Sequence, residues 1–254
     1  MTYRLPDPGT VAVWFFTAAQ PDSVTAELVR LLDTEQAHRA GSFTHRQQHV
    51  EFVVTHGVVR LILADLLDVP AASLRWSVGS HGKPELAHPA TALRCNLSHS
   101  GGLAALAVTA GPPVGIDIQR WRSDVDLVRM AARYYAADEA GYVRAAVGDS
   151  ERAARFTGLW CRKEACVKMA GSRLVPSLRL SAGLPGAGAG CFQVSDPREL
   201  IEPCTVRDVP APAGYSAAVA VAGDLDFPLA QYWWAPTADL TGWQDPDRMA
   251  VATC

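Results

Sequence analysis

The chain has 254 residues, with 23 Lys and Arg against 26 Asp and Glu, a formal net charge of -3 and 49% hydrophobic residues. This length suits one large domain or two small ones, and the apolar content excludes disorder as a global description. The near-neutral charge argues against a dedicated nucleic-acid binder, which is usually clearly basic.

Apolar periodicity and turn signals predict the elements of both halves of the chain. In chain order they are a strand at 11–18, helices at 25–32, 33–41 and 46–67, and strands at 74–78, 93–97 and 103–109. After a GPP joint at 111–113 they are a strand at 114–118, helices at 125–132, 138–146 and 150–170, and strands at 191–194, 204–209 and 215–221.

This order of elements predicts an α+β fold of two pseudo-twofold-related halves, each a long helix packed on a small antiparallel sheet. The halves are residues 1–112 and 113–234, and an irregular tail follows at 235–254.

Features that the sequence lacks bear on localisation. No apolar run approaches the roughly 18–20 residues that span a bilayer, and the first residues lack the charged head and cleavage site of a signal peptide. The six cysteines form no CxxC pair, which gives little support for zinc ligation or a disulfide framework. We therefore expect a cytoplasmic protein with reduced thiols and no membrane or nucleic-acid partner.

Lysine is rare in this chain. Lys83, Lys163 and Lys168 are its three lysines, and all its other basic residues are arginine. A compact ammonium on a flexible stem binds differently from the planar fork of a guanidinium. We therefore expect these three positions to need an ammonium.

The segment LWCRKEACVKMAG carries two of these lysines on a predicted helix. Residues four apart share a helix face, so Trp160, Glu164 and Lys168 lie on one face with Lys163 at its edge. An ordinary exposed ion pair between Glu164 and Lys168 is the simpler interpretation. The scarcity of lysine favours a functional carboxylate and ammonium.

The predicted strand VGIDIQ contains one carboxylate among apolar residues. Strand alternation places Asp117 on the same side as Gln119 and opposite Ile116 and Ile118. Either Asp117 faces solvent, or it is paired, hydrogen-bonded or bound to a metal, because an unpartnered buried carboxylate is costly. A strand Asp beside a helix Glu is what a hard cation such as Mg²⁺ requires, with phosphate oxygens and water completing its coordination.

The segment NLSHSGG lies at a strand end. Ser98 and His99 invite a hydrolase interpretation, but neighbouring residues rarely present both side chains to each other, and no G-x-S-x-G elbow is present. On a glycine-flanked turn they serve better as donors to phosphate oxygens. Lys83 in the GKP turn, and Arg39 and Arg46 on the preceding helices, supply further cations.

With GKP, NLSHS, GIDI and WCRKEACVK in this order, the chain resembles the 4′-phosphopantetheinyl transferases, specifically the two-halved type that activates surfactin synthetase and other peptide and polyketide synthases. The resemblance runs from the helix at Asp33 to the strand ending near Val221. GIDI followed about 45 residues later by W-x-x-K-E-A-x-x-K is a specific signal. The resemblance implies that the protein moves 4′-phosphopantetheine from coenzyme A to a serine of an apo acyl or peptidyl carrier protein, releasing 3′,5′-ADP. The internal duplication of the chain favours a monomer.

The resemblance also implies a metal site. Asp117, Gln119 and Glu164 match the positions that hold a Mg²⁺, for which Mn²⁺ can substitute, against the coenzyme A pyrophosphate. Asp117, Glu164 and Lys168 are then the implied catalytic residues.

Residues of the matching motifs and of the preceding helices are implied in coenzyme A binding. They are Arg39, Arg46, Lys83, Pro84, Ser98, His99, Lys163 and Lys168. Within this set, Ser98 and His99 match binders of the 3′-phosphate or pyrophosphate, and Lys83 matches an adenosine contact.

Two positions depart from the family pattern. The family often has G-x-D-x-E, and at the second acidic position this chain has Gln119, whose amide oxygen can ligate Mg²⁺ but cannot act as a base. Glu51 stands where an arginine is usual, and Arg46 is the candidate substitute. Glu164 is therefore the candidate base for the carrier serine, unless a loose transition state requires none. A coenzyme A-binding regulator without turnover and a Mg²⁺-independent acyltransferase are the competing functions.

Overall fold

The structure, a computed structural model, describes residues 5–79, 82–172, 179–184, 191–195 and 201–236. Its helices are α1 (Asp22–Val29), α2 (Thr34–Gly41), α3 (Arg46–Leu67), α4 (Leu127–Tyr134), α5 (Ala137–Arg144) and α6 (Asp149–Ala170). Its strands are β1 (Val11–Thr17), β2 (Arg75–Val78), β3 (Pro84–His88), β4 (Leu93–Ser100), β5 (Leu103–Ala110), β6 (Val114–Arg120), β7 (Cys191–Val194), β8 (Cys204–Val209), β9 (Tyr215–Ala222) and β10 (Leu229–Trp233). The predicted α+β class is confirmed.

Two four-stranded sheets form the centre of the fold. Their strand orders are β10-β1-β5-β4 and β6-β9-β8-β7, and β2 and β3 form a separate hairpin. The first sheet is mixed rather than antiparallel as predicted, because β10 returns from the end of the described chain and pairs parallel to β1. β1 is buried on both faces, as is typical of a strand in the middle of a covered sheet.

The two sheets pack face to face and are covered by the two long helices. Val13 and Phe15 of β1 share one buried cluster with Ile116 and Ile118 of β6. On the outer faces, α3 packs against the first sheet and α6 against the second. The layers therefore run helix, sheet, sheet, helix, and the outer face of β6 lies under α6.

Two predicted boundaries need correction. α1 begins at Asp22 rather than at residue 25, because the extended Pro21 that precedes it serves as the N-cap. β4 continues to Ser100, so Ser98 and His99 lie within a strand and not on a turn, and Gly101 and Gly102 form the reversal. The predicted irregular tail lies outside the described residues after 236. Among the helices of the described ranges, none has the length and apolar content to cross a membrane.

Candidate active site

The close packing of α6 on β6 depends on Gly115. A Cβ at this position would overlap the backbone oxygen of Ala165 and the backbone nitrogen of Met169. Because glycine has no Cβ, the helix backbone approaches the strand directly. This approach brings the side chains of Glu164 and Lys168 to the outer face of β6.

We expect Gly115→Ala to push α6 away from β6 and to lower the free energy of unfolding by about 1–3 kcal/mol, the usual cost of overpacking. Urea denaturation measures this loss. Gly158→Ala is the matched control, since Gly158 lies on the same helix and a Cβ there meets no atom within 4 Å. It should leave stability unchanged or raise it, because alanine favours helix. Equal losses in the two variants would contradict this role of Gly115.

Asp117 is buried on the outer face of β6, with its side chain 0% exposed. Its Oδ1 lies 2.6 Å from Lys168 Nζ and accepts a hydrogen bond of 2.7 Å from Ser98 Oγ. Its Oδ2 accepts a bond of 3.2 Å from Gln119 Nε2. The predicted orientation opposite Ile116 and Ile118 is confirmed, and the alternative in which Asp117 faces solvent is wrong.

Glu164 joins this group from α6. The pKa of its carboxyl is raised to about 7, mainly by burial and also by the nearby Asp117 carboxylate, whereas Lys168 acts to lower it. A carboxyl with a pKa near neutrality is one that an added cation would hold in its ionised form. The group therefore combines the ion pair of Asp117 and Lys168 with a carboxyl, that of Glu164, whose pKa is about 7.

The oxygen donors of this group fit a hard cation. Asp117 and Glu164 offer carboxylate oxygens and Gln119 an amide oxygen, which is the ligand chemistry that Mg²⁺ prefers. Within the described ranges, no three His, Cys, Asp or Glu side chains are grouped closely enough to hold a metal ion. A cation held here would therefore take much of its coordination from a bound molecule.

The two lysines of α6 lie in different environments. Lys168 contacts Asp117 and Ser98, whereas Lys163 is fully buried and its Nζ lies 2.7 Å from Glu139 Oε2. Lys163 also donates to the backbone oxygen of Leu180. The structure therefore does not bring Lys163 to the Asp117 group.

Lys83 lies between the two halves, where the start of β6 meets the end of α6. Its Nζ donates to the backbone oxygens of Val114 (3.1 Å) and Met169 (2.9 Å), and so joins the start of β6 to the end of α6. Burial lowers the pKa of its ammonium. Lys83 and Pro84 line a cavity of about 400 Å³ that Met169 and Gly171 also border.

The remaining predicted residues lie towards α3. His99 is exposed on β4. Burial, followed by the charges of Arg39 and His99, lowers the pKa of His56 on α3 to about 4. Arg46 is exposed and pairs with Asp22 at 2.6 Å. Arg39 and His99 therefore share one neighbourhood around His56, and Arg46 has an exposed partner of its own.

Residues 113–218, which include Asp117, Glu164 and Lys168, match the family model of the 4'-phosphopantetheinyl transferase superfamily. The second half of the chain is therefore similar to this superfamily. It is 29% identical over 215 residues to 4'-phosphopantetheinyl transferase HetI of Nostoc sp., covering 84% of this chain and 88% of that protein.

Two further phosphopantetheinyl transferases illustrate the range of this similarity. The chain is 26% identical over 205 residues to 4'-phosphopantetheinyl transferase ffp of Bacillus subtilis, covering 80% of this chain and 88% of that protein. It is 26% identical over 152 residues to human L-aminoadipate-semialdehyde dehydrogenase-phosphopantetheinyl transferase, covering 56% of this chain and 49% of that protein.

Side chains of β4 join the two sheets. Asn96, Ser98 and Ser100 accept hydrogen bonds of 2.9, 3.3 and 3.1 Å from alternate backbone amides of β6. These amides lie on the edge of β6 that faces away from β9, as alternation in an antiparallel pair requires. This role was not predicted, although the N-x-S-x-S spacing of two was visible in NLSHS.

Proposed function

We propose that this protein transfers 4′-phosphopantetheine from coenzyme A to a serine of apo acyl or peptidyl carrier proteins and releases 3′,5′-ADP. The observation that supports this function best is the buried contact between Asp117 and Lys168, with Glu164 beside it, inside the region that matches the superfamily. The similar proteins HetI, ffp and the human enzyme are named as phosphopantetheinyl transferases, which supports the same reaction.

The surroundings of the Asp117 group suit coenzyme A. The cavity lined by Lys83 and Pro84 offers space for the adenosine end. Lys168, which precedes the cavity-lining Met169 in α6 and contacts Asp117, offers an ammonium to the pyrophosphate. Arg39 and His99, near His56 of α3, offer further hydrogen-bond donors to phosphate oxygens. Arg46 is a further, exposed cation, which pairs with Asp22.

Mg²⁺ is the cation that we propose for this site, and Mn²⁺ suits the same donors. Asp117, Glu164 and Gln119 would hold it, and it would neutralise charge on the coenzyme A pyrophosphate. Few protein ligands are available, so the pyrophosphate and water would complete its coordination.

The chain's own residues account for the proton and charge movements of the transfer. The carrier serine oxygen forms a bond to the β-phosphorus of coenzyme A, and the bond from that phosphorus to the departing 3′,5′-ADP oxygen breaks. Glu164 is the candidate acceptor of the serine proton, because the amide of Gln119 cannot act as a base. Lys168 stabilises the charge that develops on phosphate oxygens, and Asp117 fixes the position of this ammonium.

Mass spectrometry of a panel of apo carrier proteins, incubated with this protein, coenzyme A and Mg²⁺, tests the proposed function. We expect at least one carrier to gain the mass of one phosphopantetheine unit, and 3′,5′-ADP to appear in equal amount. A panel without any mass gain, from a protein that binds coenzyme A, would support a binding function without turnover.

The same proposal includes a monomer that acts in the cytoplasm. Cys95, Cys161, Cys166, Cys191 and Cys204, the cysteines of the described ranges, are all free thiols, which agrees with a reducing compartment.

We expect Gln119→Glu to tighten Mg²⁺ binding in the absence of coenzyme A. Gln119 donates a hydrogen bond to Asp117 Oδ2 and adds no charge to the site. A glutamate would add a carboxylate to those of Asp117 and Glu164. In the wild type, Mg²⁺ and coenzyme A should each raise the other's affinity by the same factor, and the variant should reduce that factor. Calorimetric titration of both proteins, with and without coenzyme A, measures it. Strong Mg²⁺ binding by the wild type alone, unchanged in the variant, would place Gln119 outside the metal's coordination.

A further inference from the structure

Ser98 lies at the point where β4, β6 and α6 meet. Its side chain is buried, with the residue 5% exposed. Ser98 Oγ donates to Asp117 Oδ1 at 2.7 Å, and it accepts from Lys168 Nζ at 2.9 Å and from the backbone nitrogen of Ile118 at 3.3 Å. One hydroxyl therefore contacts both charged members of the site and the strand that carries Asp117.

These three contacts exhaust the bonding capacity of the hydroxyl. A serine hydroxyl has one proton to donate and two lone pairs that accept. Ser98 donates its proton to Asp117 and uses both lone pairs for Lys168 and Ile118. A phosphate oxygen accepts hydrogen bonds and would need a proton that Ser98 has already donated. This arrangement differs from the phosphate-binding role that the family resemblance implies for Ser98.

We propose that Ser98 is a positioning residue for the transfer reaction. It fixes the rotation of the Asp117 carboxylate and holds the Lys168 ammonium against the same oxygen. Because it also accepts from the Ile118 amide, it ties this geometry to the junction between the two sheets. The inference rests on the proposed function, since the reaction defines what the positioned groups do.

Ser100 provides a matched control. Its hydroxyl accepts from the next free amide of β6, that of Arg120, at 3.1 Å. It lies two residues further along β4, about 6.6 Å from Ser98 at the usual rise of a strand. Ser98→Ala and Ser100→Ala therefore each remove one bond between the sheets, and Ser98→Ala also removes the contacts with Asp117 and Lys168.

The test compares the kinetics of the Ser98→Ala, Ser98→Thr and Ser100→Ala variants on a carrier that the wild type modifies. Loss of a group that orients a ligand typically costs roughly 10- to 100-fold, so Ser98→Ala should lower kcat by this factor with the KM for coenzyme A near that of the wild type. Ser98→Thr keeps the hydroxyl and should recover most of kcat. Ser100→Ala should lower stability as Ser98→Ala does, with kcat near that of the wild type. If Ser98→Ala does not fold, Ser98→Cys, with a weaker donor of similar size, should show the same loss of kcat.

Two kinetic outcomes would overturn the inference. A raised KM for coenzyme A with unchanged kcat would make Ser98 a substrate-binding residue. Equal losses of kcat in Ser98→Ala and Ser100→Ala would reduce both residues to joining the sheets.

A double-mutant cycle in unfolding free energy separates this inference from the proposed function, because it needs no transfer. Ser98→Ala and Asp117→Asn should combine non-additively, as contacting residues do, whereas Ser100→Ala and Asp117→Asn should add. If the wild type modifies no carrier, the proposed function fails, and the cycle still decides whether Ser98 fixes Asp117. Additivity in both cycles would exclude the positioning role.

Discussion

Asp117→Ala is expected to slow phosphopantetheine transfer by on the order of a thousandfold, about 4 kcal/mol in the activation free energy. The carboxylate is fully buried and its two oxygens contact Lys168, Ser98 and Gln119. Its removal takes away a proposed metal ligand and frees the ammonium of Lys168 from its position. The rate with saturating coenzyme A and Mg²⁺, followed by the mass of the carrier protein, measures the loss.

Two companion variants make this result specific. Asp117→Asn keeps the size of the side chain and removes its charge, so it should lose nearly as much activity. Asp208→Ala breaks another aspartate pair of the same half, in which Asp208 accepts bonds of 2.7 and 2.6 Å from Arg162, and it should keep a near wild-type rate. Near wild-type transfer by Asp117→Asn would show that the charge of Asp117 is not required.

The sequence predicted the fold well where elements are long and buried. α3 was predicted with its observed bounds, and the predicted helix at 150–170 differs from α6 by one residue at its start. β3 was missed because PELAH is mostly exposed and lacks apolar alternation. β10 was missed because it is short and its partner, β1, lies near the other end of the chain. Local patterns do not encode such long-range pairing.

The motifs predicted the centre of the candidate site and not all of its surroundings. Asp117, Glu164 and Lys168 could be placed together because strand and helix periodicity fix which face each occupies. Lys163 and Lys168 are five residues apart, about 140° around a helix at 3.6 residues per turn. Helix geometry could therefore have predicted that their side chains lie in different environments. The hydrogen-bond partners of Ser98 could not be predicted from the sequence, because they depend on how β4 packs against β6.

Lys163→Met is expected to lower the free energy of unfolding by about 3–5 kcal/mol, the usual cost of removing one partner of a buried ion pair. Lys163 and Glu139 are both 0% exposed, so the remaining carboxylate would be left in a buried site without its ammonium. Glu139 also accepts from the backbone amides of Ala136 and Ala182, which hold it in place and prevent it from turning to solvent. Chemical denaturation of both proteins measures the difference.

The exposed pair of Arg30 and Glu27, with side chains 72% and 50% exposed, is the matched control. Arg30→Met should cost less than about 1 kcal/mol, as is usual for surface pairs. Adding Glu139→Gln to Lys163→Met should recover part of the loss, because the buried charge is then gone. At denaturant concentrations where it is still folded, the Lys163→Met variant should have a KM for coenzyme A near that of the wild type. An unchanged stability together with a raised KM would instead make Lys163 a coenzyme A ligand, in the role that the family resemblance implies.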